Sequence, residues 1–284
     1  MGDDSKDDRV LAATRWAAAV VVAVLLPALV ILWGLPGRTH TLWAWTIKPE
    51  MTPIFMGSAY GAGAFFFTRV FLCRRWHTAS AGVISAAIFA AFMLVVTFVH
   101  FNTFNHGHAP VLAAVAFYGW TGVYIASPFI VAWLWLRNQR TDPRNREPGD
   151  PLVPPWVRAI TRAVSVGVVV AGIVFLFSPT TANDVWAWKL TPLTAGVVGS
   201  FTIQVGVGAL FLSLDERWSS WRLLLQTFLV ATTLLLIGTA RVWSRLDHSN
   251  ASTWIFVAGL VGLALAILAL FRTMEGRSRL AATL

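Results

Sequence analysis

Charged residues are scarce in this sequence, since Asp, Glu, Lys and Arg make up only 12% of its 284 residues. A soluble domain carries about 25%, so about half of the polar surface that folding in water requires is missing. Hydrophobic residues account for 57% of the chain. They gather in runs of about 20, the length that crosses the hydrocarbon core of a bilayer. The shortage of charge therefore argues against a soluble fold and predicts an all-α, multi-pass membrane protein.

Other absences narrow the chemistry. Cys73 is the only cysteine, which excludes an intramolecular disulfide and a thiolate metal cluster. The sequence contains no P-loop, GxSxG, HExxH or dinucleotide-binding fingerprint, so no catalytic residue and no cofactor is predicted. Asp, Glu and Lys are missing from the hydrophobic runs. Carboxylates inside a membrane usually carry ion coupling, so their absence argues against transport driven by protons or sodium.

Eight hydrophobic runs predict eight transmembrane helices. Their approximate bounds are Trp16–Trp33, Thr52–Phe71, Ala81–Val99, Val111–Leu136, Ala163–Ser178, Leu193–Leu212, Trp221–Ala240 and Trp254–Phe271. The opening GDDSKDDR is too acidic for a signal peptide, so the first span is predicted to stay as an anchor.

The distribution of basic residues predicts the topology. Of the 22 Lys and Arg residues, 17 fall in the N-terminus, the even-numbered loops and the C-terminus. Because positive charge gathers on the cytoplasmic side, both termini are predicted in the cytoplasm, with the protein in the inner cell membrane. The net charge of +9 is thus a topology signal, and no nucleic-acid partner is predicted. The lipid bilayer is the expected partner, and a homo-oligomer or other membrane proteins stay open.

One stretch of the chain is written twice. Leu42–Ser58, LWAWTIKPEMTPIFMGS, recurs as Val185–Ser200, VWAWKLTPLTAGVVGS. The two Trp-Ala-Trp triplets lie 143 positions apart, and the Gly-Ser pairs that end the copies lie 142 apart. Matches at these two registers continue from Arg15 to His106 in the first half. Two registers held over this distance predict an internal repeat.

The repeat divides the chain into two four-span halves. Residues 1–136 form the first and residues 159–284 the second, and a Pro/Arg-rich cytoplasmic linker at residues 137–158 joins them. The composition of the linker predicts a mobile connector that buries little apolar surface. Because four is an even number, both halves have the same orientation. The fold is therefore predicted as two parallel repeats related by a pseudo-twofold axis along the membrane normal.

The repeated element has a structural and a functional interpretation. Its four tryptophans are Trp43, Trp45, Trp186 and Trp188. Tryptophan collects at the membrane–water boundary, so the element is predicted to anchor the second and sixth spans. Thr191 before Pro192 resembles an N-cap with proline at the first helical position, and Thr52 before Pro53 could act alike. Alternatively, the four rings wall an outward-facing vestibule that binds an apolar or cationic ligand.

Polar residues in two predicted outer loops are candidate metal ligands or acid–base groups. They are His100, His106, His108, Asp247 and His248. Imidazoles and a carboxylate that converge outside the membrane suit zinc or copper and suit proton transfer. Their spacing matches no recognised ligand motif, however, and the competing interpretation is a solvated loop that caps the neighbouring spans.

The run WAWKLTPLTA, with Gly-Ser three residues after it, resembles a W-P-W-x-L-T-P-L signature of an uncharacterised family of multi-pass bacterial membrane proteins. The resemblance covers Trp186–Ser200 well and Trp43–Ser58 loosely, and Ala44 and Ala187 replace the first proline of the signature. It implies a multi-pass membrane protein and brings no activity, substrate or cofactor with it.

Three functions stay open on the sequence alone. The first is a non-enzymatic membrane scaffold or subunit that associates laterally through small-residue helix faces. The glycines of those faces are Gly57, Gly61, Gly63, Gly199, Gly206 and Gly208. The second is a facilitator or transporter of a small apolar or cationic solute along the pseudo-axis. The third is an outward-facing metal or catalytic site built from the loop histidines.

Overall fold

A computed structural model describes residues 6–106 and 110–282. The chain is 80% helical, and the described residues contain no strand. The α-helices are α1 (Ala12–Leu29), α2 (Thr39–Leu42), α3 (Met51–Leu72), α4 (His77–Val99), α5 (Val111–Gln139), α6 (Pro155–Phe177), α7 (Pro179–Val185), α8 (Pro192–Leu214), α9 (Trp218–Arg241) and α10 (Ala251–Ala282). A π-helical segment, Val30–Gly34, continues α1, and three short 3-10 helices are Pro36–Arg38, Phe101–Thr103 and Trp243–Arg245.

Seven helices of the described chain are long and apolar enough to cross a membrane: α1 with its π-helical continuation, α4, α5, α6, α8, α9 and α10. Their length and composition indicate a multi-pass membrane protein, as predicted. The helix at the second predicted span, α3, has 22 residues and is not among the seven. Its interior carries Gly57, Gly61 and Gly63 as well as the polar Ser58, Tyr60 and Arg69, which lower its apolar character.

The long helices form a central and a peripheral group. The central helices are α3, α4, α8 and α9, where α3 packs against α9 and α4 packs against both α8 and α9. Each peripheral helix packs on one central helix, so that α1 lies on α3, α5 on α4, α6 on α8 and α10 on α9. Burial follows this arrangement. In α8, 61% of the most apolar 18-residue stretch is buried, whereas in α10 only 6% of the corresponding stretch is buried.

The closest helix contact, between α6 and α8, depends on glycine. A Cβ atom on Gly199 would lie 2.7 Å from the carbonyl oxygen of Gly172. A Cβ on Gly206 would lie 2.9 Å from the backbone nitrogen of Val169. Only residues without side chains allow this backbone approach. These two glycines of α8 therefore serve the packing of α8 against α6 within this chain.

The start of α8 was predicted correctly. Thr191 is its N-cap, Pro192 is the first helical residue, and Thr191 and Thr194 form a reciprocal capping box. The other copy differs, because α3 already begins at Met51 and Thr52 lies buried inside its first turn. Thr52 therefore does not serve as an N-cap.

The linker was predicted to bury little apolar surface, and this was wrong at Pro151 and Val153, which are both buried. The polar linker residues Asn138 and Asp142 are also buried, at 0% and 7% exposure. The backbone N–H of Val153 donates to the carbonyl oxygen of Glu216 at 2.9 Å, which holds the linker against the start of α9. In addition, α6 begins at Pro155, eight residues before the predicted span.

Candidate functional site

The two tryptophan motifs, Trp43–Trp45 and Trp186–Trp188, form turns at the same end of the bundle. We name this end the tryptophan face. In the first turn, the hydroxyl oxygen of Thr39 accepts from the N–H of Ile47 at 3.0 Å. Asn105 donates from its backbone N–H to the carbonyl oxygen of Ala44 at 2.7 Å and from Nδ2 to that of Trp43 at 3.0 Å. The turn is thereby fixed to the loop between α4 and α5.

The second turn is fixed in a parallel way. The side chain of Asn183 binds both the N–H and the carbonyl oxygen of Leu190 at 2.7 Å. Thr253 Oγ1 donates to the carbonyl oxygen of Ala187 at 3.2 Å, so the start of α10 holds this turn. Each motif is thus attached to the last helical pair of its own half.

The rings of the first motif lie inside the protein. Trp43 is 8% and Trp45 is 2% exposed. Both pack on Trp120, with ring centroids 5.8 and 4.9 Å apart. Interfacial anchoring of these two rings in lipid was predicted and is wrong, because neighbouring aromatic rings cover them.

The rings of the second motif form a separate cluster. Trp186 and Trp188 lie 5.2 Å apart and both contact Phe55, at 5.8 and 6.1 Å. Trp188 is 7% exposed and also faces the protein interior. The four tryptophans therefore belong to two clusters. A vestibule shared by all four stays a prediction that these contacts do not favour.

Three of the four indole N–H groups are orphaned. Within the described residues, Nε1 of Trp43, Trp45 and Trp186 is buried and has no hydrogen-bond partner. Nε1 of Trp188 donates to Thr52 Oγ1 at 2.9 Å and so joins the two halves. A buried donor without an acceptor costs about 1–3 kcal/mol. A water molecule, an ion or a bound ligand can supply the missing acceptor.

A cleft of about 1050 Å³ opens on the tryptophan face between the two halves. Its lining includes Trp186, Trp188, Lys48 and Lys189. Glu50 in the same cleft forms an ion pair with Arg245. Neither lysine has a carboxylate partner within the described residues. Asp247 also lines the cleft, so its three cationic side chains face two carboxylates and the cleft has a net charge of +1.

A central cavity of about 350 Å³ lies between the four central helices and is open on one side, where its lining residue Val205 is 42% exposed. Much of that wall consists of residue pairs that are 142 positions apart. These pairs are Ala59/Phe201, Ala62/Gln204, Gly63/Val205, Gly82/Leu224, Ser85/Thr227 and Ala86/Phe228. Trp186 lines both this cavity and the surface cleft. The indole of Trp186 thus separates the two spaces.

The outer histidines are held by aromatic stacking. His106 stacks on Phe101 at 5.6 Å, and His248 stacks on Trp243 at 4.6 Å. The carboxylate of Asp247 accepts from the backbone N–H of Ser249 at 2.9 Å and from its hydroxyl group.

The structure does not gather these loop residues into a ligand group. Among the described residues, His100, His106, Asp247 and His248 form no group of three with metal-ligand spacing. His108 lies outside the described residues. The outer metal or catalytic site therefore stays a prediction.

The opposite end of the bundle, which we name the terminal face, carries a polar brace. The carboxylate of Asp8 contacts both the backbone N–H and Nδ1 of His77. The carboxylate of Asp150 accepts from the backbone N–H of Ser219 at 3.1 Å and from its hydroxyl group at 2.6 Å. His77 Nε2 lies 2.8 Å from Ser219 Oγ, and this contact joins the starts of α4 and α9.

One set of side chains on the terminal face has metal-ligand spacing. Ligand atoms of Asp8, His77 and Glu147 lie within 4.8 Å of one another. Each of them already has a protein partner, since Arg75 contacts Glu147 and His77 contacts Asp8. Glu147 Oε1 is nevertheless buried without a hydrogen-bond partner within the described residues, so the polar groups of this set are only partly satisfied.

Arg217 forms the most buried ion-pair cluster of the terminal face. Its guanidinium donates to both carboxylate oxygens of Asp142 at 3.0 Å and to Asp215 at 2.7–3.2 Å. Burial raises the pKa of Asp142, but hydrogen bonds from Arg217 and from the N–H of Arg144 outweigh it and leave the pKa lowered. Burial likewise raises the pKa of Asp215, and bonds from Arg217 and Ser220 again lower it overall.

The sequence contained a signal for the brace that the predicted repeat did not include. Asp8 and Asp150 are 142 positions apart, and so are His77 and Ser219. His77 and Ser219 lie within the register of 142 that follows the motifs, whereas the register before the motifs is 143 and pairs Asp8 with Pro151. Only a search of the N-terminal residues at register 142 as well would have paired the two aspartates. The central cavity had no such signal, because the packing of side chains from distant helices decides whether a space remains.

No family model, no curated protein and no solved structure matches this chain.

Proposed function

We propose that this chain is a membrane facilitator for a small, neutral and mainly apolar solute. In this proposal two parallel four-helix repeats surround the central cavity, and α3 is an eighth membrane-crossing helix. At 1.5 Å per residue, the 22 residues of α3 reach about 33 Å, enough for a hydrocarbon core of about 30 Å. The position of α3 between α1 and α9 supports a crossing at the same depth as its neighbours. The terminal face lies in the cytoplasm.

Equivalent contacts in the two halves support the repeat. The repeat exchanges α3 with α8 and α4 with α9, so the packing of α3 on α9 corresponds to that of α4 on α8. Trp76 and Trp218, 142 positions apart, are both 0% exposed. The N–H of Trp76 donates to the carbonyl oxygen of Asp8 at 2.7 Å, as the N–H of Trp218 donates to that of Pro151 at 3.1 Å. These pairs are what a pseudo-twofold axis along the bundle would produce.

The central cavity is the observation that carries the functional proposal. Six pairs of its lining residues are related by the 142-residue repeat, so both halves contribute equivalent positions to one space. Two-half symmetry around a cavity inside the membrane is a common plan of transport proteins. The proposed axis passes through this cavity and, at the terminal face, through the contact between His77 and Ser219.

The lining indicates the class of solute. Its hydroxyl groups are already satisfied, because Ser85, Thr202 and Thr227 each donate to a carbonyl oxygen of their own helix at 2.8–2.9 Å. The amide of Gln204 has no hydrogen-bond partner within the described residues. No charged side chain lines the cavity. A neutral solute that offers one polar group to Gln204 fits this environment, whereas an ion would lose its hydration without compensation.

The surface cleft offers a route from the tryptophan face. Trp186 stands between the cleft and the cavity, so a rotation of its ring would connect them. The free lysines Lys48 and Lys189 in the cleft disfavour a cationic solute. The proposal therefore keeps the apolar solute expected from the sequence and abandons the cationic one.

The scaffold function loses the feature on which it depended. The small-residue faces expected to bind partners are buried within the chain, since Gly57 contacts Trp33 and Gly199 contacts Gly172. Gly61, Gly63, Gly206 and Gly208 also have neighbours within 3.3 Å of a Cβ position. Lateral association, a homo-oligomer and the resemblance to an uncharacterised family stay predictions.

Flux measurements in proteoliposomes test the proposal. The probes are acetamide, propionamide and butyramide, which combine a short apolar chain with one amide group. We expect the purified protein to raise their permeability above that of protein-free liposomes in stopped-flow light scattering. Ala86→Phe fills the cavity with the ring that its repeat partner Phe228 already carries. This variant is expected to return the permeability to the protein-free value.

The matched control is Ala91→Phe. Ala91 lies on α4 like Ala86, but it is exposed and does not line the cavity. The control variant is expected to keep the wild-type permeability. Permeability equal to that of empty liposomes for all three amides, or an unchanged rate in Ala86→Phe, would contradict the facilitator proposal.

A further inference from the structure

A second cavity lies away from the proposed axis, between the peripheral helices α1 and α5. This lateral pocket has a volume of about 290 Å³. Its rim contains Val24, Leu112 and Val115, which are 42–62% exposed on the outer surface of the bundle. In a membrane protein that surface faces lipid. The pocket is therefore open to the hydrocarbon region sideways.

The inner wall of the lateral pocket is aromatic and almost fully buried. Trp43, Tyr60, Trp120 and Tyr124 line it, and each is at most 8% exposed. The rings form a continuous chain, with centroids 5.8 Å apart for Trp43 and Trp120 and 4.6 Å apart for Trp120 and Tyr124. No charged residue belongs to the lining. A flat, uncharged molecule suits such a wall.

Two hydrogen-bond donors of this wall lack an acceptor. The hydroxyl groups of Tyr60 and Tyr124 lie 2.9 Å apart and bind each other, and within the described residues neither has another partner. One of the two hydroxyl hydrogens is therefore left without an acceptor. Nε1 of Trp43 is likewise buried and unpartnered in the described part of the chain. Trp120 is different, because its Nε1 donates to Thr97 Oγ1 at 2.9 Å.

We infer that the lateral pocket binds a lipid-soluble carbonyl compound of the quinone type, taken up from the membrane. The ring of such a molecule is flat and apolar, and one of its carbonyl oxygens accepts a hydrogen bond from the free tyrosine hydroxyl. The site is independent of the proposed solute path. The second half does not reproduce it, because Thr202 stands 142 positions after Tyr60.

The depth of the tyrosine pair favours a quinone over a phospholipid. Tyr60 lies nine residues after the start of α3, which places it roughly 13 Å along the helix axis. That depth is close to the middle of a hydrocarbon core about 30 Å thick. The ester carbonyls of phospholipids lie at the edge of this core, whereas a quinone ring is mobile throughout it.

Binding of tritium-labelled menadione to the protein in nanodiscs tests the inference. We expect saturable binding, and methylnaphthalene, which has the same shape without the carbonyls, should compete poorly. The double variant Tyr60→Phe/Tyr124→Phe, which removes both hydroxyl groups and so leaves no free donor, is expected to weaken menadione binding about three- to tenfold, the value of one hydrogen bond. Tyr118→Phe is the matched control, because Tyr118 lies on α5 and is 67% exposed. It should leave the affinity unchanged.

A steric pair of variants gives an independent readout. Gly119 lines the lateral pocket and has nothing within 4 Å of a Cβ position, so Gly119→Leu fills the pocket without a clash. Gly122, also on α5, likewise has nothing within 4 Å of a Cβ position, but it does not line the pocket. We expect Gly119→Leu to abolish menadione binding and Gly122→Leu to retain it, with equal melting temperatures for the two variants.

Three results would overturn the inference. The first is equal affinity for menadione and methylnaphthalene, which would remove the role of the carbonyls. The second is unchanged binding in Gly119→Leu, which would move the ligand elsewhere. The third comes from nanodiscs of ester-linked and ether-linked phospholipid with the same chains. Menadione affinity about tenfold weaker in the ester-linked lipid would assign the donors to phospholipid esters instead.

Discussion

Arg75 and Arg217 show how matching residues of the two halves come to differ. They are 142 positions apart and precede α4 and α9 in the same way. The side chain of Arg75 is 54% exposed and contacts Glu147, whereas that of Arg217 is 8% exposed and lies between Asp142 and Asp215. The difference arises because the linker brings Asp142 to Arg217. The two arginines therefore form a natural pair of test and control positions.

We expect Arg217→Gln to lower the free energy of unfolding by roughly 3 kcal/mol at neutral pH, because it leaves two carboxylates largely buried without a cation. Arg75→Gln should cost less than about 1 kcal/mol, as is usual for an exposed ion pair. Denaturant titration in mixed micelles measures both. Equal losses in the two variants would contradict the role assigned to burial.

Arg217→Gln should also change how the free energy of unfolding depends on pH. In the wild type, Arg217 keeps the pKa values of Asp142 and Asp215 lowered. The stability that these two ionised carboxylates contribute is then complete above the pKa of about 4 that Asp has in the unfolded chain. It is lost as the pH falls through the lowered pKa values of the folded state. In Arg217→Gln the hydrogen bonds from the N–H of Arg144 to Asp142 and from Ser220 to Asp215 remain, but the guanidinium is gone, so both pKa values are higher than in the wild type. The variant then loses less stability than the wild type as the pH falls through about 4, so its deficit should shrink there, and a constant deficit would contradict the role of Arg217.

At the scale of helices, glycine decides how closely a peripheral helix approaches a central one. A Cβ on Gly57 of α3 would lie 2.7 Å from the backbone nitrogen of Trp33, next to α1. A Cβ on Gly199 of α8 would lie 2.7 Å from the carbonyl oxygen of Gly172 on α6. These two glycines are 142 positions apart, so both halves use the same device. Gly167 of α6 has nothing within 4 Å of its Cβ position.

Alanine substitutions at these positions should therefore change stability in opposite directions. Gly167→Ala is expected to raise the unfolding free energy by up to about 1 kcal/mol through helix propensity alone. Gly57→Ala and Gly199→Ala should each lower it by about 1–3 kcal/mol, because the new methyl group meets backbone that must move. Thermal melting in detergent compares the three variants. A stabilised Gly199→Ala would show that α6 and α8 pack less closely than described.

The helices also show what the sequence could predict. Hydrophobic run length found the long helices, and Thr191 before Pro192 marked the start of α8, because both signals are local. The start of α3 was predicted to within one residue, but Thr52 as its N-cap was wrong, since its hydroxyl lies inside the first turn and accepts a hydrogen bond from Trp188 in the other half. Burial of Asp142 was missed for the same reason, as its partner Arg217 lies 75 residues away. The Trp-Ala-Trp motif predicted a repeat but could not predict the cavities, because contacts between distant helices shape them.

At the scale of the whole molecule, the two halves are joined by more than the linker. Contacts of α3 with α9 and of α4 with α8 and α9 run along the bundle. The linker is fixed on both sides of its middle, by Asp142 on Arg217 and by Asp150 on Ser219. A cut between these two anchors leaves every one of these contacts in place.

We therefore expect a protease site inserted between Arg144 and Glu147 to yield two fragments that still elute together in mild detergent. Gly238→Leu is the sensitising variant, because a Cβ on Gly238 of α9 would lie 2.2 Å from the side chain of Ile54 on α3. The larger residue must push α3 and α9 apart. Size-exclusion chromatography after cleavage should then show separated fragments for Gly238→Leu and one complex for the unsubstituted chain. Separation of the unsubstituted fragments would mean that the linker, and not helix packing, holds the halves together.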